Sequence, residues 1–144
     1  MRTRLKKSEY AVSVDRNGRV AAEGGAPTHF GHEWTAEHLL LAALARCSLA
    51  ALAYHARRDG LWVQASASAQ GVVGRRDDGD WGFLELDCSI DARFDPAPAD
   101  PGDLLARAQR GCFVGASLDP RPRYEWLVNG EPAAATAIAP AEPS

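Results

Sequence analysis

The sequence predicts an α+β fold in the order β-β-α-β-β-α-β, with helices packed on antiparallel sheet. Three observations lead there. Residues 84–94 alternate apolar and polar without interruption, 36–59 hold nothing that breaks a helix, and Asp100-Pro101 marks the start of a second helix. The 144 residues are 46% hydrophobic and 24% charged, which suits one domain of ordinary size with its own core. We expect one domain over 1–131 and a loose tail over 132–144, because PAAATAIAPAEPS has few large apolar residues.

The elements are taken in chain order. Tyr10, Val12 and Val14 share one face of a strand predicted over Glu9 to Asp15. Asn17-Gly18 supplies the positive-φ pair of a tight hairpin, and Arg19 to Ala22 return as its partner. The Gly- and Pro-bearing stretch from Glu23 to Trp34 reads as a loop. Thr35 is then the expected N-cap of a long helix, with Glu37 in its first turn, where the dipole favours a carboxylate. Leu and Ala occupy nearly every side of that helix from Leu39 to Ala53, so burial all round is expected. Gly60 stands where a helix stop belongs. Val63 to Ala69 form a third strand, and Asp78-Gly79 marks a turn. On the next strand Leu84, Leu86, Cys88, Ile90, Ala92 and Phe94 share the inner face. The second helix should run from about Gly102 toward Leu118, though Gly111 and Gly115 weaken it. Tyr124, Trp126 and Val128 form a last strand before Asn129-Gly130.

Composition excludes several classes. With 16 basic and 19 acidic residues the net charge is −3, which gives no electrostatic footprint for nucleic acid or anionic lipid. Arg46 interrupts the best apolar run below the roughly 18 residues a membrane span needs. The basic start, Met1 to Lys7, leads into Ser8-Glu9-Tyr10 rather than an apolar signal core, so the expectation is a cytoplasmic protein without membrane contact. No phosphate-binding glycine loop and no Gly-x-Ser-x-Gly elbow are present. His32 and His38 are six apart, whereas a zinc-protease helix needs four, so no metal and no other cofactor are expected.

Three cysteines remain, too few and scattered for a disulfide framework. Cys88 lies on the apolar strand face and reads as a small core residue. Cys47, between Arg46 and Ser48, reads on spacing alone as a buried helix cysteine; as a nucleophile it would need a cation to lower its pKa. Cys112 is 65 positions further on, so local geometry neither joins the two nor separates them. If neighbours, one thiolate could attack a peroxide and the other capture the resulting sulfenic acid as a disulfide.

At these residues the chain resembles the OsmC/Ohr family of thiol-dependent peroxidases, from about Tyr10 to Gly130. The resemblance rests on Thr35-Ala36-Glu37-His38-Leu39-Leu40 leading to Ala45-Arg46-Cys47, on Gly60-Leu61-Trp62-Val63, on Gly111-Cys112-Phe113-Val114 with Ala116-Ser117-Leu118 behind it, and on Tyr124-Glu125-Trp126 to Asn129-Gly130. It implies an intertwined homodimer with antiparallel sheets around two central helices and active sites at the subunit interface. It implies Cys47 as peroxidatic cysteine, Cys112 as resolving cysteine, Glu37 as catalytic glutamate and Arg16, or failing that Arg19, as the active-site arginine. The implied substrates are organic hydroperoxides, some relatives also taking hydrogen peroxide, and the implied reductant is a dithiol such as a lipoylated protein. In those roles Arg16 would hold the Cys47 thiolate, and Glu37 would fix the guanidinium. Ten residues of continuous helix put Glu37 and Cys47 about 15 Å apart. A bridge by Arg16, a helix break or a second subunit would then be needed. The chain departs from the family pattern at Trp34, at Ala36 and at Phe113, the last two where proline is common. We therefore expect the broader OsmC-like branch, and the alternative is a dimeric ligand-binding or stress protein whose cysteines are slow.

Overall fold

The computed structural model describes residues 7–137, so most of the basic start and the tail residues 138–144 lie outside the described residues. These residues fall into two compact units, one ending at Glu37 and one beginning at His38.

The first unit carries a three-stranded antiparallel sheet of β1 (Val12–Val14), β2 (Arg19–Ala22) and β3 (Thr28–His29). The turn between β1 and β2 differs from the expected one. Asp15 Oδ1 accepts the N–H groups of Asn17 and Arg19 at 2.8 and 2.9 Å, which widens the loop, and at Asn17-Gly18 it is Gly18 that takes a positive φ, +80°. β3 corrects the reading of 23–34 as loop throughout: Val20 pairs with Thr28 and Arg19 with His29. Two residues are too few to show a period.

α1 (Ala36–Arg58) runs unbroken, its first two residues falling with the first unit. It ends as Gly60 predicts. At φ +75° Gly60 donates to the Arg57 carbonyl and Leu61 to that of Ala56, the paired bonds of a Schellman stop. Leu44, Ser48, Ala51, Leu52 and Ala56 are buried, a stripe along one side, while Ala42, Ala43, Ala50 and Tyr54 stay exposed. Burial all round is therefore not met among the described residues. α1 is also long and apolar enough, by length and composition, to cross a membrane with Arg46 in place, which corrects the argument that Arg46 excludes such a run.

The second unit is built on a four-stranded sheet in the order β4 (Trp62–Arg75), β5 (Trp81–Asp95), β6 (Arg123–Val128), β7 (Glu131–Ala133). β4 and β5 form a long hairpin closed at Asp78-Gly79, longer at both ends than the apolar alternation alone marks. β5 and β6 pair in parallel, with Cys88 opposite Tyr124 and Ile90 opposite Trp126, so the sheet is mixed rather than wholly antiparallel. The cause is the helical crossover between them, which brings the chain back to the starting end of β5. β6 turns into β7 through Asn129 (φ 50°) and Gly130 (φ 85°), the two-residue positive-φ hairpin. Pairing thus continues past Gly130, and the Thr136 N–H donates to Gly102 O at 3.0 Å.

That crossover is α2 (Pro101–Gly111) followed by α3 (Phe113–Ala116). Asp100 caps α2 by accepting from the Asp103 N–H at 3.1 Å, with Pro101 in the first turn as expected. The expected single helix to Leu118 is instead broken at Cys112, whose backbone is extended at φ −81°, ψ 99°. Cys88, Ile90, Ala92 and Phe94 of β5 and Trp126 and Val128 of β6 meet Leu44 and Leu52 of α1 and Leu104, Leu105 and Ala108 of α2 in one core. Each large apolar side chain buried there contributes about 1.5–3 kcal/mol.

Candidate active site

The broken crossover fixes the position of Cys112. As C-cap of α2 and N-cap of α3 its side chain turns into the core, fully buried, and Sγ accepts the Gly115 N–H at 3.4 Å. Cys47 lies on α1 beside the buried stripe, half-buried, with the Cys112 side chain against its thiol. Both sulfurs are free thiols. Helix and crossover therefore join two cysteines that the sequence leaves 65 positions apart. Burial pushes the Cys47 thiol above the usual range and Cys112 pushes the same way, against backbone N–H donors at Val114 and Phe113.

Cys47 opens onto a mostly apolar cavity of about 460 Å³ lined by Ala50, Ala51, Tyr54, His55, Gly111 and Phe113. Phe113 is 77% exposed at this rim. His55 is held below the usual imidazole range, by burial first and then by the neighbouring Arg107 and Arg58 charges, so near neutral pH it presents an uncharged ring to the cavity. A larger groove of about 560 Å³ on the sheet holds none of the cysteines.

Behind Cys112 lies a second layer. Among the described residues Ser48 is the one fully buried polar side chain, and its Oγ stands 3.5 Å from Cys112 Sγ. Cys88 Sγ donates to the same Oγ at 3.8 Å. The Tyr124 hydroxyl is close to both Ser48 and Cys112 but is buried without a partner in hydrogen-bond geometry, and burial keeps it un-ionised. Cys88 is a core residue, as the sequence indicates, and also touches this cluster. The sequence reasoning missed Ser48, Tyr124 and His55. Ser48 carried a readable signal: it sits four residues from Leu44 and from Leu52, a polar residue on the buried stripe.

Arg16 and Glu37 belong to the first unit. Arg16 is exposed in the turn after Asp15, Arg19 lies exposed on β2, and Glu37 occupies the first turn of α1. α1 is one helix from Ala36 to Arg58. Among the described residues no group of three or more His, Cys, Asp or Glu side chains could hold a metal ion.

Comparison with known proteins bears on this geometry. A family model described as OsmC-like protein matches residues 29–126. Among curated proteins none matches the chain. An OsmC-like protein of unknown function from Vibrio cholerae superposes with a TM-score of 0.67 at 14% identity, over 84% of this chain and 100% of the other. The organic hydroperoxide resistance protein OsmC of Legionella pneumophila gives a TM-score of 0.55 at 16% identity, over 88% and 98% of the two chains. The organic hydroperoxide resistance protein OhrB of Bacillus subtilis gives 0.53 at 13% identity, over 87% and 99%.

Proposed function

The chain belongs to the family of OsmC-like proteins, and on that premise we propose that it is a thiol-dependent peroxidase reducing organic hydroperoxides. One observation supports this reading above the rest: a half-buried thiol, Cys47, opens to an apolar cavity with a second thiol, Cys112, directly behind it.

The chemistry balances with these two residues. The Cys47 thiolate attacks the distal oxygen of ROOH, the O–O bond breaks, and the alkoxide leaves as ROH after taking a proton. Cys47 is then a sulfenic acid. The Cys112 thiolate attacks its sulfur, hydroxide departs as water, and a Cys47–Cys112 disulfide remains. Two thiols of an external dithiol, which we take to be cytoplasmic and of the lipoyl type, exchange with that disulfide and restore both cysteines. The apolar lining of Ala50, Ala51, Tyr54 and Phe113 suits an alkyl or aryl R group better than the small, polar hydrogen peroxide. Arg16, with Arg19 as the other candidate, is our choice for the cation that offsets the burial of Cys47, and Glu37 for the carboxylate that orients it. We take the working unit to be a homodimer, because Ala42 and Ala43 of α1, outside the Cys47 cavity, are exposed among the described residues.

A second reading is a dimeric ligand-binding or stress protein with slow thiols. The upward push on Cys47 favours it, because the thiol form is not a nucleophile. Free-thiol titration with intact mass, before and after about one equivalent of cumene hydroperoxide, separates the two. The peroxidase loses two thiols and about 2 Da per chain, as disulfide formation with loss of two hydrogens requires, while Cys47→Ser keeps its thiols. Three thiols intact after prolonged exposure would sink the peroxidase and leave the ligand-binding protein.

A further inference from the structure

The cluster behind Cys112 has a direction. Cys88 is fully buried, and its Sγ–H donates to Ser48 Oγ at 3.8 Å. A hydroxyl carries a single proton. With its oxygen accepting from Cys88, Ser48 has that proton free for Cys112 Sγ at 3.5 Å. The Gly115 N–H reaches the same sulfur at 3.4 Å, so two donors converge on a sulfur cut off from water. Hydrogen bonds to sulfur strengthen as charge gathers on the acceptor, so this pair fixes where the attacking sulfur sits. Gly115 leaves room for the arrangement: a Cβ there would stand 2.5 Å from Tyr124 Oη and 3.3 Å from Cys112 Sγ.

We infer that Ser48, oriented by Cys88, is a positioning residue for the resolving step: together with the Gly115 amide it holds the Cys112 sulfur in place for its attack on Cys47. The inference rests on the assignment of Cys47 and Cys112 as the reacting pair. It adds that the donors are gathered on the resolving sulfur, and it gives the third cysteine a part in the chemistry without oxidising it.

The test uses 5,5′-dithiobis(2-nitrobenzoate) on the full chain, with no peroxide present. Cys47, the more open thiol, attacks the reagent first, releases one thionitrobenzoate and becomes a mixed disulfide. The Cys112 thiolate then attacks the Cys47 sulfur, the bond to the second thionitrobenzoate breaks, and that anion leaves as the Cys47–Cys112 disulfide forms. Absorbance follows both releases, and intact mass identifies each product. Ser48→Ala should leave the bimolecular first phase within about twofold and slow the unimolecular second phase roughly tenfold, the scale of a hydrogen bond to a charged group. Ser48→Thr, which keeps the hydroxyl, should restore most of the second rate. Cys88→Ala, which keeps the hydroxyl but removes the proton that orients it, should slow the second phase less than Ser48→Ala, and it serves if Ser48→Ala does not fold. A second phase unchanged in both alanine variants, or slowed as much in Ser48→Thr as in Ser48→Ala, overturns the inference. Failure of the peroxidase reading looks different: two normal phases here, with no thiol lost to cumene hydroperoxide.

Discussion

Cys47 is where the residue scale decides the function. Its thiol is pushed above the usual range by burial and by Cys112, so near neutral pH the chain on its own presents little thiolate. Below the pKa the thiolate fraction, and with it the alkylation rate, rises about tenfold per pH unit. A guanidinium beside the sulfur lowers the midpoint of that rise, because it favours the charged form. The pH profile of Cys47 alkylation by iodoacetamide therefore reads the arginine directly. Arg16→Met should move the profile to higher pH, with the rate at pH 7 falling, while Arg19→Met leaves it in place. The opposite pattern assigns the role to Arg19, and no movement in either variant removes the arginine from the site. What was legible at this scale was chemical type. Cys47 and Cys112 stand out as groups that could act, and the family resemblance adds Glu37 and Arg16, whereas Ser48 and Tyr124 pass as a small helix residue and a strand aromatic until the fold sets them beside Cys112.

At the scale of elements, α2 matters because its end sets where Cys112 points. The start of α2 depends on Asp100, whose carboxylate accepts the Asp103 N–H at 3.1 Å. Asp100→Ala should cost about 1 kcal/mol in urea unfolding, the usual worth of an N-cap, with the denaturant slope unchanged. A loss below a few tenths would mean that core packing of Leu104, Leu105 and Ala108 holds the helix start without its cap. Asp100-Pro101 was readable because capping is local, and the inner face of β5 was readable because one buried face forces a period of two. The break at Cys112 was not. Gly111 and Gly115 lower helix propensity along the whole stretch, but the point of failure is chosen by packing. Parallel pairing of β5 with β6 likewise depends on where the crossover returns. The same dipeptide makes the point for turns. Asn129-Gly130 closes a two-residue hairpin, but at Asn17-Gly18 the Asp15 carboxylate takes two backbone N–H groups and imposes a wider loop.

For the whole molecule the exposed side of α1 matters most. Leu44, Leu52 and Ala56 are buried against the core, but Ala42, Ala43, Ala50 and Tyr54 face outward, and Tyr10 ahead of β1 and Val12 and Val14 on it are 84, 66 and 66% exposed. Water-exposed apolar side chains on this scale favour a partner. Ala42 and Ala43, outside the Cys47 cavity, are small enough to let another backbone come close, which fits a second copy of the same helix. A buried arginine without a counter-charge at such an interface is costly, whereas the same residue on an exposed helix face is nearly neutral. Ala43→Arg exploits that difference: Ala43 is exposed in the single chain and does not line the Cys47 cavity. Sedimentation equilibrium at micromolar concentration should find two chains for the wild type and one for Ala43→Arg, with the monomer's circular dichroism retained. A wild type that sediments as a single chain would exclude the dimer. The apolar length of α1 would then have to be met by another surface, and co-flotation with neutral phosphatidylcholine vesicles would test whether that surface is a lipid one.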